Sequence, residues 1–346
     1  MKILHLIFSF NTGGAETMLV DIANEQMSKD EVFLIIINNS YSKKMFFNLD
    51  DKVKLIVLNR KPGSRNPLPL FKLNKILYNI KPDIIHCHNE NLVNTLCPIF
   101  RKNLVVTIHG LGRQIINLKK YKKIFAISNG VAQDIKKRGK ISPIVIYNGI
   151  NVERIISKST YNKCNVYKII QVGRLNHEIK GQNLLIKAIK ILHDTNEIYN
   201  IMVDFIGEGS SEEYLKKLVY NYNLSNRVKF LGLKDREYIY RNLCNYDLLV
   251  QPSLYEGFGL TIAEAMAAKV PVLVSNIHGP MEIIANGEHG FWFDRGSAES
   301  LAESIKNLIE IDEKILRAKI ETAFDFVKEK FSIVSTASNY IHNYIL

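Results

Sequence analysis

The sequence predicts an α/β fold built from two parallel-sheet units in series. Short β-rich runs alternate with amphipathic helices along the 346 residues, which favours parallel sheets covered by helices on both faces. The alternation pauses in a turn-rich polar stretch over residues 148–165 and restarts with a strand over residues 166–172. At this length each unit can bury a core of its own. We therefore expect a first domain over residues 1–155 and a second over residues 165–330.

The elements are predicted from apolar periodicity. In the first domain a helix opens at Gly13 and Gly14 after strand one, a second helix covers residues 70–80, and Ser128 is placed to cap a third over residues 129–137. The predicted strands cover residues 3–8, 32–37, 54–58, 84–87, 104–108, 123–127 and 143–146 in the first domain, and 166–172, 201–205, 228–230, 247–250 and 271–274 in the second.

Composition indicates a globular protein of a reducing compartment. Hydrophobic residues make up 47% of the chain and charged residues 23%, as in ordinary folded domains. The four cysteines, Cys87, Cys97, Cys164 and Cys244, lack the spacing of a metal site or a disulfide framework. The apolar run at residues 3–8 is short and leads directly into a turn, so we interpret it as a strand and not as a signal peptide. No apolar run approaches the ~20 residues of a membrane span.

The positive charge is confined to the first half. Residues 1–150 hold 23 Lys and Arg against 10 Asp and Glu, a net of +13, whereas residues 151–346 hold 23 against 24, a net of −1. The two domains should therefore meet different partners, the first of them anionic. Nucleic acid is one such partner, but the basic half has no recognisable binding motif and no stacking aromatics in a basic run, which argues against it.

Residues 251–268 are the most informative stretch. An apolar strand is followed by a loop with Gly257 and Gly259 and then by strong helix formers from Leu260 onward. Glycines at a helix start let a ligand approach the backbone N–H groups, which makes this a seat for a phosphate. Glu256 in the loop and Glu264 about one turn into the helix can both reach hydroxyl groups further along the same ligand. A phosphate joined to two sugars fits this arrangement.

Other strand ends also carry polar or permissive residues. Gly173 and Arg174 end the first strand of the second domain, and Lys180 opens the next helix, so both cations can reach a diphosphate. Gly207 ends another strand at the same edge. His109 ends a buried strand of the first domain, where sites of such sheets form. His86 and His88 share one face of their strand, but no third metal ligand is evident near them.

Several of these motifs resemble glycosyltransferase family 4. The resemblance rests on Glu256 and Glu264 with seven residues between them, on the Pro-Ser-x-x-Glu-Gly-Phe-Gly pattern of residues 252–259, on Gly-Gly-Ala-Glu at residues 13–16, and on Gly173-Arg174-Leu175 with Lys180-Gly181. It extends over nearly the whole chain and is stronger in residues 166–295 than in the first half.

The resemblance implies the GT-B fold, in which two Rossmann-like domains with parallel sheets face each other across a cleft. It also implies that the terminal segment, residues 331–346, is a helix that crosses back to the first domain. The implied donor is a nucleotide sugar, UDP-linked in preference to GDP-linked, held mainly by the second domain. A member of the family transfers its sugar with retention. Arg174 and Lys180 would stabilise the leaving diphosphate in the role that a divalent metal has in other glycosyltransferases. The sequence has no Asp-x-Asp motif, and we expect no required metal or other cofactor.

The resemblance and the residues together predict the following sites. Catalytic roles are assigned to His109, Glu256, Arg174 and Lys180, with His109 making a polar contact near the donor sugar. Donor contacts are assigned to Gly13, Gly14, Gly173, Arg174, Lys180, Gly207, Glu256, Gly257, Phe258, Gly259, Leu260 and Glu264. Acceptor or membrane contacts are assigned to Arg113, Lys119, Lys120, Lys122 and Lys123, which have apolar neighbours.

The predicted function is transfer of a hexose or N-acetylhexosamine to a lipid-linked saccharide in O-antigen, capsule or lipopolysaccharide synthesis. The enzyme would be cytoplasmic and peripheral, docked on the anionic inner face of the plasma membrane. A GDP-mannose-type donor and a soluble acceptor remain as alternatives. An epimerase or a phosphorylase on the same architecture is disfavoured by the Glu256 loop and by Gly173-Arg174-Leu175.

Overall fold

A computed structural model of the chain describes residues 1–11, 13–161, 166–195 and 200–345. The chain divides into two compact units, Met1–Ile150 with Ser332–Leu346, and Asn151–Phe331. Part of the stretch interpreted as a linker, residues 162–165 with Cys164, lies outside the described residues. Because residues 332–346 contain no Lys, Arg, Asp or Glu, the first unit carries a net charge of +13 and the second a net charge of −1.

The first unit is a parallel sheet whose seven strands, counted over the described residues, run in the order β3-β2-β1-β4-β5-β6-β7. Its central strands are almost fully buried and rich in Ile, Leu and Val, as expected for a parallel sheet covered on both faces, whereas the two edge strands are partly exposed. The strands are β1 (Lys2–Ile7), β2 (Glu31–Asn38), β3 (Lys54–Arg60), β4 (Ile84–Cys87), β5 (Leu104–Ile108), β6 (Lys123–Ala126) and β7 (Ile144–Val145).

The helices of the first unit connect these strands. Gly13 caps α1, and Met18, Leu19 and Ile22 on that helix are buried as the periodicity predicts. Ser128 caps α4 by accepting a hydrogen bond from the N–H of Val131 at 3.1 Å, which confirms the predicted cap. The helices are α1 (Gly14–Met27), α2 (Lys43–Phe46), α3 (Leu68–Ile80) and α4 (Asn129–Gly139).

The last helix of the chain, α13 (Ile333–Ile345), belongs to the first unit. The N–H of Ile333 donates to the carbonyl of Ile150 at 2.8 Å, which fastens the start of the helix to the end of the sheet segment. Tyr340 and Tyr344 of α13 are buried against Phe125 of β6. The terminal segment thus completes the core of the first unit.

The second unit repeats the architecture. Over the described residues its parallel sheet has six strands in the order β10-β9-β8-β11-β12-β13. The strands are β8 (Tyr167–Val172), β9 (Ile201–Ile206), β10 (Val228–Phe230), β11 (Leu248–Gln251), β12 (Val272–Ser275) and β13 (Phe291–Phe293), and the helices are α5 (His177–Lys180), α6 (Gln182–Asp194), α7 (Glu212–Asn221), α8 (Arg236–Asn242), α9 (Leu260–Ala267), α10 (His278–Ile283), α11 (Ala298–Glu310) and α12 (Glu313–Lys330).

Both sheets reverse their strand order at one place. In the first unit the reversal lies between β1 and β4, and in the second between β8 and β11. Ligands of such open sheets bind outside the carboxyl ends of the strands at this switch point. The loops that follow β1, β4, β8 and β11 are therefore the first places to look for a site. Among the described residues, no helix is long and apolar enough to cross a membrane.

Candidate active site

The carboxyl edge of the second sheet is built from loops whose backbones touch. Gly207 follows β9 with φ +136°, and a Cβ on it would lie 2.1 Å from the carbonyl oxygen of Gly173 after β8. Gly181 has φ +66°, and a Cβ there would lie 1.9 Å from the carbonyl oxygen of Pro252 after β11. Only glycine tolerates these positions. The glycines thus bring the loops after β8, β9 and β11 together at the switch point.

An ion pair lies at the centre of this edge. The Nζ of Lys180, at the end of α5, donates to Oε2 of Glu256 at 2.5 Å, and both side chains are largely buried. Gln251 Nε2 donates to the same carboxylate oxygen at 3.3 Å. The other oxygen of Glu256 has no partner among the residues that the structure describes. A half-satisfied carboxylate beside an ammonium group can receive a hydroxyl donor and an anion next to each other.

Buried glutamines hold the two cation-bearing loops in place. Gln171 Nε2 donates to the carbonyl of Lys180 at 2.9 Å, and Gln182 Nε2 donates to the carbonyl of Arg174 at 2.9 Å. Gln171, Gln182 and Gln251 are not among the predicted site residues. Two of them, Gln171 in β8 and Gln251 in β11, could have been found from the sequence, because a glutamine inside an otherwise apolar strand must find a buried partner.

The glycine-rich loop leads into helix α9 as predicted. Gly259 precedes the helix with φ +112°, Leu260 is its first residue, and Phe258 is 2% exposed and packs edge-on against Phe331 at 5.5 Å between ring centroids. The first backbone N–H groups of a helix have no partner inside it, and the helix dipole favours an anion there. With Gly257 and Gly259 on either side of Phe258, this helix start has the backbone geometry on which the predicted phosphate contact depends, and the contact itself stays a prediction.

Glu264 lies in the middle of α9 and is 6% exposed. Its Oε1 is 3.9 Å from Nε of Arg236, the first residue of α8. The guanidinium of Arg236 also stacks over the ring of Tyr240 at 4.8 Å. Arg236 is not among the predicted site residues. Its position beside Glu264 results from the packing of α8, which the spacing of residues in the sequence does not predict.

Two other predicted features of the second unit are also placed. Arg174 is exposed, and its guanidinium makes no hydrogen bond or ion pair with a residue that the structure describes. The N–H of Gly207 donates to the carbonyl of Gly232 at 2.9 Å, so the loops after β9 and β10 meet. Gly173, Arg174, Lys180, Gly207, Glu256 and the start of α9 thus all belong to one edge of the second sheet.

In the first unit, Gly13 and Gly14 lie at the start of α1, after β1. Gly13 is extended, with φ −169°, so its backbone conformation does not require glycine. A Cβ on Gly13 would, however, lie 2.6 Å from Oε2 of Glu16. Gly13 therefore provides room for the Glu16 side chain, and this is the local reason for the Gly-Gly-Ala-Glu sequence.

His109 follows β5 and belongs to a group of buried imidazoles. Its Nε2 is 3.1 Å from Nδ1 of His88, and its own Nδ1 is buried without a hydrogen-bond partner among the described residues. Burial, together with the nearby charge of Arg113, lowers the pKa of His109 to about 4. His109 is therefore neutral at pH 7 and offers a ring nitrogen that a ligand can still use.

The structure corrects one expectation about His86 and His88. A third imidazole, His5, lies beside them, because β1 pairs with β4 with His5 opposite His86, and nitrogens of the three rings lie within 4.8 Å of one another. Each of the six ring nitrogens nevertheless has a protein hydrogen-bond partner. A metal ion would have to break these bonds, so we interpret the group as a hydrogen-bonded cluster.

The basic residues assigned to an acceptor or membrane surface differ in their surroundings. Arg113, Lys119 and Lys122 are exposed. Lys120 donates to Asn94 and Asn117, and Lys123 donates to the carbonyl of Asn343 in α13 at 2.5 Å while burial lowers its pKa. Ile116 beside them is 81% exposed and Leu111 42%. The exposed part of this surface therefore combines four cations, one of them the asparagine-bonded Lys120, with two apolar side chains.

Comparisons with known proteins agree with this architecture. The family described as Glycosyl transferases group 1 matches residues 153–323, and Glycosyltransferase Family 4 matches residues 12–154. An uncharacterized glycosyltransferase of Methanocaldococcus jannaschii is 30% identical over 301 residues, which cover 76% of this chain and 75% of the relative. The N-acetylgalactosamine-N,N'-diacetylbacillosaminyl-diphospho-undecaprenol 4-alpha-N-acetylgalactosaminyltransferase of Campylobacter jejuni is 25% identical over 362 residues, which cover 93% of this chain and 95% of that one.

Solved structures identify the fold. HepE of Anabaena, crystallised with UDP and glucose, superimposes with a TM-score of 0.81 at 23% identity, covering 99% of each chain. Two Rossmann-like units of this kind define the GT-B fold. The chain belongs to glycosyltransferase family 4.

Proposed function

We propose that the protein is a retaining, metal-independent glycosyltransferase that moves a hexose or N-acetylhexosamine from a UDP-sugar to a lipid-linked saccharide of the bacterial surface. The observation that carries this proposal is the Lys180–Glu256 pair beside the start of α9. A cation, a helix N-terminus and a half-satisfied carboxylate lie together here. In a bound sugar diphosphate, the phosphates would contact the cation and the helix N-terminus, and a sugar hydroxyl would contact the carboxylate. UDP bound in the similar HepE structure supports the choice of nucleotide.

The proposed chemistry uses charges that the protein already holds. Lys180, Arg174 and the N-terminus of α9 stabilise the negative charge that develops on the leaving diphosphate. No divalent ion is then needed for that role. Retention requires attack from the face that the diphosphate leaves, so a leaving-phosphate oxygen can accept the proton of the acceptor hydroxyl.

The Lys180–Glu256 bond explains how one pair can serve two parts of the donor. Glu256 Oε2 is occupied by Lys180 and Gln251, which leaves Oε1 for a sugar hydroxyl. Lys180 has three N–H donors and can contact a phosphate while it keeps Glu256 in position. Glu264, deeper in α9, is assigned to the ribose hydroxyls, with Arg236 holding its carboxylate.

The proposed acceptor is a saccharide on a lipid diphosphate at an anionic membrane surface. Two observations support it. The similar enzyme from Campylobacter jejuni is named for a diphospho-undecaprenol substrate, and the net charge of +13 lies entirely on the first unit. Arg113, Lys119 and Lys122, with Ile116 and Leu111, form the proposed docking surface, because Lys120 and Lys123 are bound to other parts of the protein.

Nucleotide binding tests the donor half of the proposal. In the presence of EDTA, UDP at 100 times its Kd should stabilise the protein against unfolding by about 2.7 kcal/mol, and GDP should stabilise it less. Lys180→Met should weaken the UDP effect, whereas Lys187→Met, an exposed lysine on α6, should not. A UDP effect that requires a divalent metal, or that survives Lys180→Met unchanged, would overturn this assignment.

Membrane binding tests the acceptor half. Each basic residue near an anionic bilayer contributes about 1 kcal/mol, so replacing Arg113, Lys119 and Lys122 by Gln should weaken binding to anionic vesicles by roughly 100-fold. Replacing the exposed lysines Lys43, Lys44 and Lys52 by Gln removes the same charge from the same unit and serves as the control. Equal losses in both triple variants would show a general charge effect and no docking surface, and equal binding to neutral vesicles would rule out an anionic partner.

A further inference from the structure

A chain of imidazoles runs through the core of the first unit and ends at His109. Gln26 near the end of α1 meets His5 of β1, with 2.8 Å between Oε1 and Nε2. His5 Nδ1 is 3.0 Å from Nε2 of His88, and His88 Nδ1 is 3.1 Å from Nε2 of His109. His5 is 0% exposed and His88 4% exposed. Its buried members therefore cross the switch point between β1 and β4, and the chain ends at the partly exposed His109.

The direction of every bond in this chain follows from its first member. In the orientation that the structure gives the Gln26 amide, its oxygen faces His5 Nε2 and can only accept, so His5 carries its proton on Nε2 and donates to Gln26. A neutral imidazole has one donor and one acceptor, so His5 Nδ1 accepts from Nε2–H of His88. By the same reasoning, His88 Nδ1 accepts from Nε2–H of His109. The Nδ1 atom of His109 is then unprotonated.

A second branch from the same amide has the same polarity. Gln26 Nε2 donates to the hydroxyl of Tyr344 at 3.5 Å, and this hydroxyl donates to Nδ1 of His86 at 2.7 Å. His86 Nε2–H donates to Oγ1 of Thr107 at 2.7 Å, and that hydroxyl lies 3.0 Å from the Tyr340 hydroxyl. One orientation of the Gln26 amide therefore satisfies both branches. The opposite orientation reverses both.

We infer that the Gln26–His5–His88 chain fixes the tautomer of His109, so that His109 presents an unprotonated Nδ1 to a hydroxyl donor. Gln26, His5 and His88 are positioning residues, because they act through His109. The buried Nδ1, which has no partner among the described residues, supports this role, since buried acceptors are nearly always satisfied and this one can receive a ligand. The tautomer itself does not depend on the proposed function, whereas its use with a donor sugar rests on it.

The hydrogen-bond chain from Gln26 to His109 requires that its imidazole rings be neutral. Burial lowers the pKa of His5 to about 4 and the pKa values of His86 and His88 well below their usual range. A second proton on either His5 or His88 would place two donors face to face and break the chain. The hydrogen-bond chain therefore depends on the burial of His5 and His88 at β1 and β4, which keeps both rings neutral.

Nitrogen spectroscopy tests the inference directly. In protein labelled with ¹⁵N in histidine, two-bond ¹H–¹⁵N spectra at pH 7 distinguish an unprotonated, pyridine-type nitrogen from a protonated, pyrrole-type one, and His109→Gln assigns the signals. We expect Nδ1 of His109 to be pyridine-type and its Nε2 pyrrole-type. A pyrrole-type Nδ1, or a doubly protonated ring, in the unmodified protein would overturn the inference without any variant.

Variants show whether the chain is the cause. Gln26→Met removes the first acceptor and His5→Phe cuts the chain at its second member, and each should leave His109 as a mixture of tautomers. Asn24→Ala is the control, because Asn24 lies on the same helix and bonds Asn48 and Asp50 outside the chain. If His109 keeps a pyridine-type Nδ1 in both folded test variants, the chain does not set its tautomer.

Kinetics separate this inference from the proposed function. If the two tautomers become equally populated, the KM for the nucleotide sugar should rise about 2-fold in Gln26→Met with kcat unchanged, because only half of the molecules can bind. A purely structural role for Gln26 would lower the unfolding midpoint and leave the nitrogen signals of His109 as they are. If the protein transfers no sugar from any donor and yet shows the expected tautomer, the proposed function is refuted and the inference about the His109 tautomer still holds.

Discussion

At the scale of single residues, the second unit holds the ion pair between Lys180 and Glu256, and a polar ligand could bind both charged groups. A partly buried ion pair such as Lys180–Glu256 is weak evidence for stability, because desolvation of the two groups offsets much of their attraction. Its position beside the start of α9 is better explained by ligand binding. The same reasoning applies to Glu264, which is almost fully buried and lies near Arg236.

The two glutamates should be separable by kinetics. Glu264→Ala should raise the KM for the nucleotide sugar, because it removes a contact to the ribose, and Glu256→Ala should lower kcat, because the transferred sugar is misplaced. Loss of a hydrogen bond to a charged group costs about 1.5 to 3 kcal/mol, so each change should be roughly 10-fold to 150-fold. Glu303→Ala, on an exposed part of α11, is the control. Steady-state rates like those of the unmodified protein in both test variants would refute the assignment.

The buried histidines predict how stability depends on pH. His5 has a pKa of about 4 in the folded protein and about 6.5 when unfolded, so below pH 6.5 protons bind the unfolded chain first and the folded state loses stability as the pH falls towards 4. At pH 5.5 this loss amounts to about 1.4 kcal/mol for His5 alone. Urea unfolding at pH 7.5 and 5.5 should show that His5→Phe loses less stability than the unmodified protein by this amount. The same pH dependence in both proteins would contradict it.

Residue-level prediction from sequence succeeded where chemistry is local. The glycines around Phe258 and the cap at Ser128 follow from backbone requirements that a short stretch reveals. The Lys180–Glu256 bond and the approach of His5 to His86 join residues about 80 positions apart, and they depend on which strands become neighbours. The sequence therefore predicts that Lys180 and Glu256 belong to one site, but it does not predict that they form an ion pair.

At the scale of elements, most strands of both sheets follow the predicted pattern and one edge strand does not. The strands β4, β5 and β10 have the predicted bounds, although β10 has only three residues and of these only Val228 is buried. The edge strand β13 (Phe291–Phe293) was missed, since three residues between a glycine and an aspartate show no periodicity. Helix α13 belongs to the first unit, as the family resemblance implies, and it supplies the tyrosines of the histidine cluster.

The start of α13 depends on Gly149. A Cβ there would lie 2.5 Å from Oγ1 of Thr336 and 2.8 Å from both Cα of Ile333 and the carbonyl oxygen of Ser332. Two of these are backbone atoms and can move only if the helix moves. Gly149→Ala should therefore destabilise the protein by about 1 to 3 kcal/mol and expose the terminal segment to proteases.

Gly110→Ala is the control for this prediction, because the nearest atom to its Cβ would be Nε of Arg113 at 4.0 Å. The measurements are urea unfolding and limited proteolysis of both variants. Equal stability of Gly149→Ala and the unmodified protein would show that the contact between Gly149 and the terminal helix is unimportant.

At the scale of the whole molecule, two units of the same topology differ in charge and in the residues at their switch points. The second presents cations, a helix start and carboxylates, which suit a nucleotide sugar. The first presents the neutral histidines that end at His109 and carries a net charge of +13, and we propose that this charge serves an acceptor at an anionic surface. This difference in charge was visible in the sequence, because the boundary between the units falls close to the change in composition.

The most direct test of this account is a transfer assay with UDP-sugars and a lipid-linked saccharide acceptor in the presence of EDTA. We expect release of UDP, a product whose anomeric configuration matches that of the donor, and a fall of about 100-fold or more in Arg174→Ala and Lys180→Ala. Activity that EDTA abolishes and manganese restores, or a product of inverted configuration, would contradict the central claim of a retaining transferase that uses its own cations in place of a metal.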